Sequence, residues 1–279
     1  YGLDICPRAA QLAAFSLLMK GREDDRRLLE RGIQLNVMAL QDSTGLNVER
    51  LEASVDLSAA GVSRADVRVL AELFAHATTF GSLIQVPPLL ADKLPALSRL
   101  SQQATQDLFS AKELQRLGAQ ARQAEILARR YDAVVANPPY LDTKNMTADM
   151  KLFLASQYAC AKKDTFAAFV LRSLELTTSS RSAAALVTPF SWMYLTSYED
   201  FREYLLAKAS INSLVELEAN AFEPAMVTVS SFVLSSRDSA GYIGSYIRLN
   251  DFRGARNQAP KTLEAIHNPD CGWHYKAVA

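Results

Sequence analysis

Asp132-Ala133-Val134-Val135-Ala136-Asn137-Pro138-Pro139-Tyr140 is the stretch on which the fold turns. Ala133 to Ala136 are small or β-branched and carry no charge, the composition of a buried strand. The strand stops where two prolines lock φ and remove backbone donors, so neighbouring carbonyls are left to accept hydrogen bonds. Open α/β sheets hold their ligands at the carboxyl ends of strands, and the four residues from Asn137 to Tyr140 sit at such an end. Asn137 offers a side-chain carbonyl and Tyr140 a flat ring. That combination suits a planar, amine-bearing group: acceptors for its N–H bonds and a surface for its face. The competing reading of these four residues alone is a rigid turn with an Asn cap.

Working outward, the α/β rhythm continues downstream. A helix is expected from about Asp164 to Thr177, a strand from Ala183 to Thr188, a helix from Ser197 to Ala209 and a strand from Ile211 to Glu218. Val227–Leu234 and Tyr242–Leu249 then read as strands close enough to form a β-hairpin. Upstream, Tyr1–Ile5 is a short apolar strand, and Pro7 opens an apolar helix through Met19, proline being tolerated in a first turn. Gly21–Arg31 reads as a solvated connection, and Ile33–Leu40 as a strand ending at Gln41–Gly45. Strands alternating with helices predict an α/β fold with a mostly parallel sheet and one antiparallel edge strand. Between Leu46 and Arg130 the texture is helical. Ser63–Asp66 has the form of a capping box for a helix running to about Thr78. Pro87, Pro88 and Pro95 punctuate a loop, and apolar residues then recur from Leu97 to Leu127 near a 3.6-residue period.

Composition narrows the function classes. The chain has 279 residues, 49% hydrophobic and 22% charged, enough for a real core. Lys+Arg and Asp+Glu are 30 each, which excludes whole-molecule electrostatic capture of nucleic acid but not a local basic groove. Arg122, Arg129, Arg130, Lys144, Lys151, Lys162 and Lys163 surround the strand at Ala133–Ala136 and are candidates for phosphate contacts, against the plainer reading of a solvated face. No apolar run approaches the roughly 20 residues that span a bilayer, and no signal-peptide pattern is present, so no membrane partner is expected. Cys6, Cys160 and Cys271 are far apart, and His76, His267 and His274 lack ligand spacing, so no metal is expected and a reducing, cytoplasmic setting fits. The chain starts at Tyr1 inside an apolar run and reads as a piece of something longer.

Asn137-Pro138-Pro139-Tyr140 and its neighbours resemble the N6-adenine DNA methyltransferases, and the resemblance covers most of the chain. It implies a Rossmann-like, S-adenosylmethionine-dependent methyltransferase sheet with Asn137, Pro138, Pro139 and Tyr140 as the catalytic motif. Asp4 matches the acid that binds the cofactor's ribose hydroxyls, with Ile5 beside its adenine. Asp42 matches the acid that accepts from the adenine amino group. Lys163–Phe169 resembles the helix start on the cofactor side, which implies that Phe166 and Asn137 also line the cofactor. Ala221–Val227 resembles a later motif whose aromatic, here Phe222, clamps a flipped base with Tyr140. The layout is most similar to the large methylases of type IIG restriction–modification and of phage-exclusion (BREX, PglX-type) systems, with Tyr1–Met19 and Phe80-Gly81-Ser82-Leu83-Ile84 resembling the latter. Double-stranded DNA and other subunits of a defence system are the partners this implies. The domains then read as 1–45, the cofactor half of the core; 46–130, a helical insertion; 131–250, the catalytic half; and 251–279, a C-terminal extension or linker.

Two features depart from the family pattern. The glycine-rich turn expected before Asp4 is missing, since none of the 11 glycines forms Gly-x-Gly, so weak cofactor binding by this chain is expected. The insertion between Asp42 and Asn137 is large; the resemblance allows a target-reading region there or after the catalytic half, and Asn at the head of the motif favours the second, so that domain is expected beyond Ala279. The same four-residue motif serves protein-glutamine and RNA methyltransferases. A non-catalytic DNA-binding subunit derived from a methylase is a further alternative.

Overall fold

The structure, a computed structural model, describes residues 1–105, 107–178, 181–222, 227–236 and 241–278, and all of their side chains except that of Ser54. It divides into two compact units, Tyr1–Arg129 and Arg130–Ala279.

In the first unit β1 (Gly2–Asp4) and β2 (Val37–Ala39) pair in parallel, with Asp4 opposite Ala39. The helix Pro7–Asp24 starts at the expected proline but runs past Met19 into the charged stretch. Lys20 and Glu23, three apart and 2.5 Å from each other, lie on one helix face and support the extra turn. β2 is shorter than Ile33–Leu40. The helical region holds, among others, the helices Val48–Ser54, Arg64–Leu73, Leu94–Ser101 and Leu108–Ala128. Ser63 and Asp66 make both bonds of the expected capping box. The long apolar stripe is two helices, not one, with Asp107 capping the second through Ser110 N. Leu40 packs in the same core as Leu70, Phe74, Leu97, Leu117 and Leu127, with Leu3 partly buried against it. The strand pair and the helices thus share one hydrophobic interior.

The second unit is built on a six-stranded sheet ordered β3 (Ala133–Ala136), β4 (Ala183–Pro189), β6 (Val229–Ser236), β5 (Ala209–Glu216), β7 (Ile243–Arg248), β8 (His274–Val278). β3 is parallel to β4 and β5 to β7, while β6 runs against both β4 and β5, and β8 against β7. Four strands therefore point one way, and β8 is the reversed edge strand. The expected hairpin of β6 with β7 does not form. β6 is a second reversed strand in the middle of the sheet, with Val229, Phe232 and Leu234 buried. Alternation identifies a strand but says nothing of its neighbour, so proximity in sequence was the wrong guide. β7 reaches β5 because residue 244 is glycine: a Cβ there would lie 2.3 Å from the Ile211 carbonyl oxygen. At that point Asn212 interrupts the β5–β6 register as a bulge. Residues 255–267 form a helix, and β8 follows it into the sheet, so the C-terminal stretch belongs to the fold of this unit.

β3 is not the buried strand its composition suggests. It is an edge strand; the helix Thr165–Glu175 packs on it, yet Val135 on its alternate face is 81% exposed.

Candidate functional site

Because β3, β4, β5 and β7 run the same way, their carboxyl ends share one edge of the sheet, the edge where such sheets place ligands. Asn137 leaves β3 there and is exposed, Pro138 is buried, and Pro139 and Tyr140 are exposed. The Tyr140 hydroxyl lies 3.1 Å from Asn137 Oδ1 and 3.1 Å from the Val187 carbonyl oxygen on β4, and it can donate its one proton to either. The hydroxyl of Tyr140 thus sits within reach of both the Asn137 amide and the sheet, and it bonds one of them at a time.

The turn is stitched to the start of the helix Thr165–Glu175. Thr165 Oγ1 donates to the Pro139 carbonyl at 2.6 Å and accepts from Leu141 N at 3.1 Å. Asp164, the helix N-cap, accepts from Leu141 N at 3.0 Å and from Phe166 N at 3.2 Å. Thr165 N in turn donates to the Leu141 carbonyl. Burial pushes the Asp164 carboxyl up from the ordinary aspartate range, against the lowering effect of those two amides. Burial also raises the Tyr140 phenol.

Phe166 is 1% exposed, so its ring is core and does not present a face to a bound molecule. It meets Tyr140 edge-on at 6.4 Å and Tyr198 at 5.7 Å, and the contacts continue through Phe201 and Trp192 to Phe232 on β6. Burial and the nearby Asp164 charge push the Tyr198 phenol up to about 12. An unbroken aromatic series thus braces Tyr140 from beneath. Phe222 follows β5 and is 51% exposed; Glu223–Met226 of its motif lie outside the described residues.

Other residues at this edge were not singled out from the sequence. Tyr194, after β4, is 62% exposed, meets Phe190 edge-on at 5.5 Å and sets its hydroxyl 3.4 Å from Glu216 Oε2. Glu216 is buried at the end of β5, where it also accepts from Asn250. The contribution of Asp164 and Thr165 was likewise missed. An Asp-Thr pair opening an apolar helix signals a cap, but its bonds to Pro139 and Leu141 come from residues more than 20 positions away.

In the first unit, Asp4 is the last residue of β1 and Asp42 lies three residues past β2, so both sit at the carboxyl ends of a parallel pair. Asp4 Oδ1 accepts from Cys6 N at 2.7 Å, and Ile5 beside it is 51% exposed. A carboxylate with acceptor capacity to spare, next to an exposed aliphatic surface, fits a ribose diol and the face of a purine. Asp42 is already committed: Oδ1 accepts from Thr78 N at 2.8 Å, and Thr78 Oγ1 lies 3.0 Å from each carboxylate oxygen. Its main chain is held by buried amides, with Gln120 and Gln123 donating to the Gln41 carbonyl and Gln120 to that of Asp42. Two glutamines three apart on an apolar helix were the available signal for this clamp. Of the basic residues, Arg122 donates to Asn36 and Arg129 to the Tyr1 hydroxyl, with its guanidinium over the Tyr1 ring. Lys144, Lys151, Lys162 and Lys163 are exposed in the second unit. Among the described residues there is no group of three or more His, Cys, Asp or Glu placed to hold a metal ion, and no helix long and apolar enough to cross a membrane.

Residues 1–222 match the family described as Eco57I restriction-modification methylase. The chain belongs to that family. Among relatives of this chain, the adenine-specific methyltransferase BrxX of Escherichia coli O9:H4 (strain HS) is 38% identical across 97% of this chain and 24% of its own length. The adenine-specific methyltransferase PglX of Lacticaseibacillus casei (strain Zhang) is 30% identical across 99% of this chain and 23% of its own length. The chain spans about a quarter of the length of these curated relatives. Among solved structures, the methyltransferase subunit of a type I restriction-modification system from Streptococcus thermophilus aligns with a TM-score of 0.43 at 15% identity, covering 80% of this chain and 62% of that one. A likeness of that size carries no weight for the site.

Proposed function

We propose that this chain is the catalytic core of a site-specific DNA adenine-N6 methyltransferase that uses S-adenosylmethionine and serves restriction–modification or phage defence. The observation that carries the reading is the Asn137–Tyr140 turn, set at the carboxyl edge of the sheet with the Tyr140 hydroxyl 3.1 Å from Asn137 Oδ1. Membership of the Eco57I methylase family and the adenine-specific relatives support adenine over a glutamine side chain or an RNA base.

Bound S-adenosylmethionine would supply the methyl group as an electrophilic sulfonium. Asp4 would hold its ribose hydroxyls, Ile5 would lie against its adenine, and Asp42 would accept from the adenine amine with the capacity Thr78 leaves. The acceptor amine on a DNA adenine is a weak nucleophile, because its lone pair is delocalised into the ring. Asn137 Oδ1 and the Pro138 carbonyl would accept its two N–H bonds, favouring a pyramidal nitrogen whose lone pair points away from the ring. Positioning and electrostatics then lower the barrier without a strong base. The amine is inaccessible inside a duplex, so the base is flipped out, and the exposed rings of Tyr140 and Phe222 would replace the lost stacking. Double-stranded DNA is the substrate on this reading, and other defence-system subunits are its partners.

The test is Asn137→Ala in the full-length protein. Methylation of adenine should fall by at least about a hundredfold, on the scale of losing one aligned polar group in a transition state, while cofactor affinity stays within about twofold. Methylation at the wild-type rate would overturn the assignment.

A further inference from the structure

We propose that Thr165 is a positioning residue for the acceptor site, its hydroxyl holding Tyr140 and, through Tyr140, the Asn137 amide. The inference rests on the functional reading above and adds a residue to it.

The argument starts from the torsions of the turn. Proline fixes φ at positions 138 and 139. A residue that precedes proline is restricted to extended ψ, and here that applies to both Asn137 and Pro138. The sequence therefore restrains every soft torsion from ψ of Asn137 to φ of Pro139. The first unrestrained torsion is ψ of Pro139, since Tyr140 follows it. That torsion sets the direction of the Pro139 carbonyl and the launch angle of Tyr140.

Thr165 acts at this point. It is 1% exposed, and a hydroxyl has one proton to donate and lone pairs to accept with. The proton goes to the Pro139 carbonyl at 2.6 Å, and a lone pair takes Leu141 N at 3.1 Å. One side chain thus grips the main chain on both sides of Tyr140. The two grips are not equally redundant. Leu141 N has a second acceptor in Asp164 Oδ1 at 3.0 Å, and the Leu141 carbonyl is held by Thr165 N. The Pro139 carbonyl has the Thr165 hydroxyl as its donor. Removing the hydroxyl alone therefore releases ψ of Pro139 while the Leu141 end of the turn stays tied. Tyr140 then loses the main-chain restraint that sets its launch angle, and although Phe166 still backs its ring, its hydroxyl is displaced from Asn137 Oδ1, now at 3.1 Å.

The experiment compares Thr165→Val, which replaces the hydroxyl by a methyl group, with Thr165→Ser, which keeps it, in the full-length protein acting on duplex DNA. For Thr165→Val the expectation is a kcat at least about tenfold lower, with KM for the cofactor within about twofold and the melting temperature close to wild type. Thr165→Ser should recover most of the rate. Both substitutions are then repeated in a Tyr140→Phe background, where Thr165→Val should cost markedly less than in the wild-type background, because of the ring and hydroxyl it orients only the ring remains. A wild-type rate in a folded Thr165→Val, a Thr165→Ser as slow as Thr165→Val, or losses that simply multiply with Tyr140→Phe would each overturn the proposal. If Thr165→Val does not fold, Thr165→Ser still decides, since a hydroxyl-bearing variant as slow as Asn137→Ala refutes the role. A wild-type protein that methylates no adenine would instead remove the reading beneath it, and the wild-type control separates the two failures.

Discussion

Replacing Phe166 by alanine separates two roles for one ring. Resemblance to the N6-adenine methylases puts Phe166 on the cofactor side; the structure puts it in the core, 1% exposed between Tyr140 and Tyr198. A fully buried aromatic removes about 150–250 Å² from water. At about 25 cal/mol per Å² that is about 4–6 kcal/mol as an upper bound. Alanine retains a fraction of that area and the neighbours relax partly, so about 3–5 kcal/mol is the expected loss, in line with other buried Phe→Ala changes. A loss of that size is a large share of a typical domain's stability of about 5–15 kcal/mol. Urea unfolding followed by tryptophan fluorescence is a suitable assay, because Trp192 is buried in the same aromatic series. The midpoint should drop sharply with little change in slope. A variant that loses less than about 1 kcal/mol yet binds the cofactor much more weakly would refute the core role and restore the cofactor-lining one.

Two further outcomes are expected. Gly244→Ala puts a methyl group 2.3 Å from the Ile211 carbonyl oxygen, a backbone atom that cannot step aside; a loss of about 1–3 kcal/mol or more in urea unfolding is expected, and a neutral variant would mean that β5 and β7 do not approach as described. Its own backbone amide and the Arg64 and Arg68 guanidiniums hold the Glu49 carboxyl down to about 2, so the folded state favours the charged form. That stabilisation is present above the ordinary glutamate pKa of about 4.3 and is lost as pH falls towards about 2. The stability gap between wild type and Glu49→Gln should close over that interval, and a gap independent of pH would contradict the pairing.

Local sequence determined a good deal. Asn137-Pro138-Pro139-Tyr140 after a short apolar strand marked both the α/β class and the place of the candidate site, because proline chemistry and the strand-end rule act within a few residues. The Ser63–Asp66 capping box and the Pro7 helix start are local in the same way, and both stand in the structure. Family likeness reached Asp4 and Phe222 by the motif around each; the structure leaves Asp4 half-buried at the end of β1 and Phe222 51% exposed after β5.

What lay beyond local sequence were relations between distant residues. The position of β6 between β4 and β5, not beside β7, depends on which strand edges remain open once β4 and β5 are placed. The exposure of Val135 depends on β3 being an edge strand, which its apolar composition cannot reveal. Phe166 looks equally apt for a core or a cofactor wall until Tyr140 and Tyr198 close around it. Asp42 and Thr78, Thr165 and Pro139, Tyr140 and Val187 meet only in three dimensions. Torsions and caps are written residue by residue, so the chain alone determined the turn that carries Asn137. Which carbonyl a buried hydroxyl reaches is settled by packing, so only the tertiary structure decided how that turn is held.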